Sequence, residues 1–133
     1  MAAVDGAVNA GPGEAAGGAD VGEGRRLAAR VLAREGARPT AIFAHNDVMA
    51  VGALEAIRAA GLRCPEDVSL VGFNDVPLVS HLSPPLTTVG VSSEVLGRRL
   101  AEIVLRAIED PTAPAETVRV PAGLVVRGST AAA

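Results

Sequence analysis

An α/β fold built on a Rossmann-like parallel sheet flanked by helices is the architecture this sequence predicts. Short apolar runs, Thr40–Ala44 and Val68–Gly72, alternate with longer stretches whose apolar residues recur at helical spacing, and such alternation implies parallel strands joined by helices. Each run also stops abruptly at a polar cluster, His45-Asn46-Asp47 in one case and Asn74-Asp75 in the other, as a strand does where it enters a loop. At 133 residues, with 49% hydrophobic and 20% charged residues, the chain has the size and apolar content of one domain with one core.

The elements follow in order. Residues 1–20 contain seven alanines, five glycines and Pro12; they carry no patterned apolar face and read as a disordered leader. The folded unit therefore spans 21–133. Leu27, Val31 and Leu32 among Arg25, Arg26, Arg30 and Arg34 predict an amphipathic helix over 21–35, with Gly36 as its stop. Thr40–Ala44 lacks alternation and reads as a strand buried on both faces. Val48, Met49, Val51, Leu54 and Ile57 then form a helix that Asn46 or Asp47 can cap and Gly61 can end. After the Cys64-Pro65-Glu66-Asp67 turn comes Val68–Gly72, again a doubly buried strand. An irregular segment with room for one helical turn covers 77–85, and Leu86–Val91 is the next extended run. Ser92 or Ser93 caps a helix over 93–109 whose apolar face is Leu96, Leu100, Ile103, Val104, Ala107 and Ile108, and Asp110-Pro111 stops it. Two short extended runs, Val118–Pro121 and Leu124–Arg127, complete four or five strands.

Composition excludes several activities. Twelve basic against 15 acidic residues give a formal charge of -3, without the basic excess of a stand-alone nucleic-acid binder. All 12 basic residues are arginine, which fits an Ala/Gly/Arg-rich coding bias. Cys64 stands alone, and His45 and His81 lie far apart, so neither a disulfide nor a metal site is expected. With no signal-peptide core and no run of about 18 apolar residues, the reading is a cytoplasmic protein with no membrane contact. Gly-x-Ser-x-Gly, Walker A, Gly-x-Gly-x-x-Gly and His-Glu-x-x-His patterns are missing, and adjacent Ser80 and His81 have no third orienting group. No catalytic residue and no cofactor are expected.

Binding chemistry concentrates at the two Asn-Asp pairs. Ligands of open parallel sheets sit outside the carboxyl ends of the strands, where Asn46 and Asn74 offer the acceptor and donors that a sugar hydroxyl or a purine edge requires. Asp47 and Asp75 then serve as supporting caps or turn residues. The competing reading is that each pair only caps a helix or closes a turn.

Four collinear blocks go further: RPTAIFAHND (38–47), AAGLRCPEDVSLVGFND (59–75), PLTTV (85–89) and LVVRGS (124–129). Together they resemble the C-terminal part of the effector-sensing domain of LacI/GalR-type transcriptional regulators, a sensor of the periplasmic-binding-protein-like (type I) fold. The resemblance covers about residues 21–130. It implies a non-enzymatic, dimerising sensor for a small sugar-like or nucleoside-like effector, with Asn46 and Asn74 at the ligand. Asn74 stands where the family commonly has Asp, so the site keeps an acceptor without the charge. Val51, Leu54, His81 and Leu82 match positions of dimer contact, which implies a homodimer. Nothing before Val21 resembles the family's helix-turn-helix, hinge helix or N-terminal subdomain, so the chain reads as an incomplete sensor that reaches DNA only through a reader it lacks. The helix at 93–109 belongs, by the same resemblance, to the other subdomain. A transport-type solute-binding protein is the nearest alternative and a small α/β enzyme the more distant one.

Overall fold

The computed structural model describes residues 18–34, 36, 38–112 and 114–132. Apart from Gly18–Asp20, the proposed leader lies outside them. The element order is α1 (Val21–Leu32), β1 (Ala41–Phe43), α2 (Asp47–Ala59), β2 (Ser69–Asn74), a 3-10 turn (Pro77–His81), β3 (Thr87–Val91), α3 (Ser93–Glu109) and β4 (Ala122–Val125). Local chemistry sets the helix starts. The Asp20 carboxylate accepts the Glu23 amide (2.9 Å) to open α1, and Ser92 Oγ accepts the Val95 amide (3.2 Å) to open α3, each satisfying a donor that the first turn leaves free.

The sheet runs β1-β2-β3-β4, with β1, β2 and β3 parallel and β4 antiparallel to β3. It is therefore mixed, where strand–helix alternation alone predicts a parallel one. A parallel return needs a crossover element packed on the sheet, and α3 has no buried residue. The chain leaves β3, makes α3 away from the sheet, and re-enters alongside β3 in the opposite sense. Its return strand is Ala122–Val125; Val118–Val120 forms no strand.

Register fixes what each face carries. Ile42, Leu70 and Thr88 share one face with Gly72 and Gly90, while Phe43, Val71, Phe73, Val89 and Leu124 share the other. The first face lies under α2, and Ala50, Ala53, Leu54, Ala56 and Ile57 of α2 form the core with Val68, Leu70, Val79 and Leu86. On the other face Phe43 is 63% and Leu124 61% exposed. The expectation that both strands are buried on two faces is thus corrected: among the described residues helices cover one face only, so β2 buries alternate residues and β1 leaves Ile42 half-buried between exposed neighbours.

Helix α1 packs on α2 at a pair of glycines. A Cβ at Gly52 would lie 1.9 Å from the Val21 carbonyl oxygen, and one at Gly24 would lie 2.2 Å from the Met49 carbonyl oxygen. Only glycine at both positions lets the two backbones come this close.

Candidate functional site

The two polar clusters stand where parallel-sheet ligand sites form, at the carboxyl ends of neighbouring β1 and β2. Asn46 is the N-cap of α2, and its Oδ1 accepts the Met49 amide (2.8 Å). Its Nδ2 donates to the Ala19 carbonyl at 3.5 Å, a long contact. The acceptor of Asn46 is therefore committed to the helix, and the amide donors are what it retains for a ligand.

Asp47 does something the sequence does not announce. It is 1% exposed; its Oδ1 accepts the Thr88 hydroxyl (2.6 Å) and its Oδ2 accepts the Val76 amide (2.8 Å). Of the cap-or-turn reading, Asp47 takes the turn: it is a buried bracket that ties the start of α2 to β3 and to the loop after β2. Gly72 makes room for it, since a Cβ there would fall 2.3 Å from Asp47 Oδ1.

Asn74 and Asp75 both have positive φ, 112° and 56°, a region that is strained for most non-glycine residues and that asparagine and aspartate tolerate best. Asp75 caps no helix: the 3-10 turn begins at Val76 without a side-chain cap. Instead Asp75 Oδ1 accepts Arg127 Nη2 at 2.6 Å. The Asn74 side chain is exposed. It borders an open cleft of about 550 Å³ lined by Asn74, Asp75, residues 90–94 with Glu94 among them, and Gly123–Val125 of the adjoining strand. Asn46 does not line this cleft, so among the described residues the two asparagines border neighbouring loops, with Asp47 as the hydrogen-bonded link between them.

Arg127 and Ser129 are the residues sequence reasoning passed over. Ser129 Oγ accepts the Thr87 amide (2.7 Å) and donates to the Leu70 carbonyl (2.6 Å), pinning the C-terminal segment between β2 and β3. The block LVVRGS holds both residues, but their partners lie about 40 to 60 positions away, which local pattern does not reveal.

The remaining candidates separate cleanly. Leu54, 3% exposed, belongs to the core and offers nothing to a second chain; its assignment as a dimer contact is corrected. Val51 and Leu82 are half-buried and His81 is exposed. Ser80 Oγ donates to the Pro77 carbonyl (2.8 Å), so its proton points away from any base. Burial pushes the Cys64 thiol up, consistent with a packed and unreactive side chain. Among the described residues no group of three or more His, Cys, Asp or Glu is placed to hold a metal ion, and no helix is long and apolar enough to cross a membrane.

A family profile described as "periplasmic binding protein-like domain" matches residues 4–130. The chain belongs to that family. Within it, the chain corresponds to part of the effector-sensing domain of LacI/GalR-type regulators. It is 38% identical over 107 residues to the ribose operon repressor of Haemophilus influenzae, covering 80% of this chain and 32% of that one. It is 42% identical over 86 residues to the HTH-type transcriptional repressor PurR of Aliivibrio fischeri, covering 64% and 26%. A LacI family transcriptional regulator from Enterococcus faecalis V583, solved with bound ribose, superposes with a TM-score of 0.75 at 34% identity, covering 84% of this chain and 41% of that chain. The chain thus spans about a third or less of the curated relatives it matches. The two curated relatives are repressors, and the Enterococcus protein is a transcriptional regulator.

Proposed function

We propose that residues 21–133 act as an effector-sensing and dimerising part of a LacI/GalR-type regulator, non-enzymatic and cytoplasmic, with Asn46 and Asn74 at the ligand. The regulator reaches DNA through a helix-turn-helix reader and responds to a small sugar-like or nucleoside-like molecule. The observation that carries this reading is Asn74: an exposed amide without a side-chain partner among the described residues, held in a strained turn at the mouth of a cleft. An amide that only closed its turn would be bonded to it. The chemistry suits a neutral polyhydroxylated ligand, since an asparagine donates and accepts at once. The ribose-bound neighbour and the ribose operon relative support a sugar, while the donor and acceptor of an asparagine also suit a purine edge. Val51, His81 and Leu82 are proposed as the homodimer contacts.

Calorimetry with D-ribose and with a purine base tests the reading. One of the two should bind saturably, and Asn74→Gly, which removes the amide while relieving the backbone, should abolish the heat. A variant that binds like the parent would reduce the asparagine pair to turn and cap residues.

A further inference from the structure

The Asn74–Asp75 turn is an uncommon piece of backbone, because two consecutive residues with positive φ carry strain even for asparagine and aspartate, the non-glycine residues that tolerate it best. Three contacts hold it here. Asp47 Oδ2 holds the next amide, Val76 N (2.8 Å). Gly90 of β3 leaves the space that Asp75 occupies, since a Cβ there would sit 3.3 Å from Asp75 Cβ. The third is Arg127, whose guanidinium spans two partners: Nη2 donates to Asp75 Oδ1 (2.6 Å) and Nη1 to the Leu86 carbonyl (2.9 Å). Its own backbone amide is fixed by Thr87 Oγ1 (2.9 Å).

Arg127 is therefore held at its backbone by Thr87 and at its guanidinium by the Leu86 carbonyl, apart from its bond to Asp75. Thr87 and Leu86 set where it stands, and its planar fork sets the direction in which it can pull a carboxylate. We infer that Arg127 is the positioning residue of the ligand site: by clamping Asp75 it holds the strained turn that leaves the Asn74 amide free and pointed at solvent. It rests on the reading of Asn74 as ligand-binding, but Arg127 need not itself touch the ligand. Arg127 does not border the cleft, whereas Asn74 and Asp75 do. Charge alone does not suffice, since an ammonium makes no fork and cannot serve Leu86 and Asp75 in one plane.

A double-mutant cycle on the full chain tests this, with calorimetric affinity for D-ribose as the first readout and the purine base as the second probe. Arg127→Met should weaken binding about tenfold or more as the turn relaxes, and Arg127→Lys should recover only part of it. In an Asp75→Gly background, where positive φ costs nothing and no carboxylate remains to clamp, Arg127→Met should change affinity less than about twofold. Equal losses in both backgrounds, or no loss in the first, would overturn the inference. Far-UV circular dichroism on each variant separates unfolding from loss of the clamp, and Arg127→Lys keeps the cycle informative if the methionine variant does not fold. Should the parent bind neither probe, the ligand reading fails on its own. Amide exchange at Val76 then decides the clamp: faster exchange in Arg127→Lys, with unchanged exchange at Ile57 in the core, supports it, and unchanged exchange at both overturns it.

Discussion

Helix α2 and helix α3 are opposite cases. Helix α2 has a mixed pattern, with Ala, Gly and Leu distributed around it, yet it buries seven residues and carries the core. Helix α3 has the cleaner amphipathic stripe, a serine cap and an Arg99–Glu102 pair at 2.9 Å, yet buries none; Leu100, Val104, Leu105 and Ile108 are all exposed, Ile108 at 69%. The difference separates two things that sequence pattern tends to merge. Capping, propensity and side-chain pairs three or four apart are local and suffice to place a helix. Burial depends on what another part of the chain brings, and in the described residues the sheet brings a partner to α2 only.

The widest gap between the two regions should appear on truncating a leucine in each. Leu70 in β2 is fully buried beneath α2, and Leu70→Ala should cost about 2–5 kcal/mol from lost transfer energy and the cavity left behind. Leu100→Ala on α3 should stay within about 0.5 kcal/mol. Urea denaturation of both variants checks this, and equal costs would mean that α3 is packed in solution against something the chain supplies.

A second pair uses glycines instead of leucines. At Gly52 any side chain would strike the α1 backbone, so Gly52→Ala should destabilise by about 1–3 kcal/mol and loosen α1 from α2. At Gly97 in the middle of α3 a Cβ would meet nothing within 4 Å. Gly97→Ala should therefore raise helix stability by about 0.8–1 kcal/mol, the usual propensity gain. Thermal melts would show opposite shifts; a loss at Gly97 would reveal a close neighbour to α3.

Much of this was legible in the sequence, and the failures have a common physical origin. The boundaries of α3, its serine cap, read as Ser92 or Ser93 and formed by Ser92, and the stop at Asp110 come from local chemistry and agree with the structure, as do the two strand ends with their Asn-Asp pairs. What was not legible involves a second segment. That β4 runs antiparallel depends on where α3 goes, that Phe43 is exposed depends on which face receives helices, and Asp47 becomes a bracket only because Thr88 and Val76 arrive beside it. Leu54 illustrates the same point: resemblance gives its position in a family, while its 3% exposure is decided by Ile57, Leu70 and their neighbours.

The asparagine pair sharpens the contrast at the site itself. Asn46 is spent on the helix, so Asn46→Ala should cost about 1 kcal/mol of stability through the lost cap. Asn74→Gly removes a side chain without a partner and a backbone strain at once, so stability should hold or rise slightly while ligand recognition is lost. Measuring stability and binding on both variants separates the two roles. A drop in stability for Asn74→Gly as large as for Asn46→Ala would mean that the Asn74 amide is bonded within the protein.

The smallest expected effect lies in the exposed ion pairs, where the two regions differ in what the acid accepts. Asp67, beside the α2 layer, takes a hydrogen bond from the Arg63 backbone amide (2.8 Å) and others from its guanidinium, whereas Glu102 on α3 takes its bond from the Arg99 side chain. The Arg63 guanidinium first, and the Arg63 amide after it, hold the Asp67 carboxyl below the usual carboxylate range. A carboxyl whose folded pKa is depressed contributes stability that is fully present above its unfolded value and is lost as pH falls through the folded one. Parent and Asp67→Asn should therefore differ at neutral pH, with the parent the more stable, and converge as the solution is acidified below the ordinary aspartate range. Solvent screens both groups, so the neutral-pH gap should be slight. Melting temperatures of parent and variant from pH 7 down to about 3 trace it, and a gap that widened toward acid would have the wrong sign for this pair.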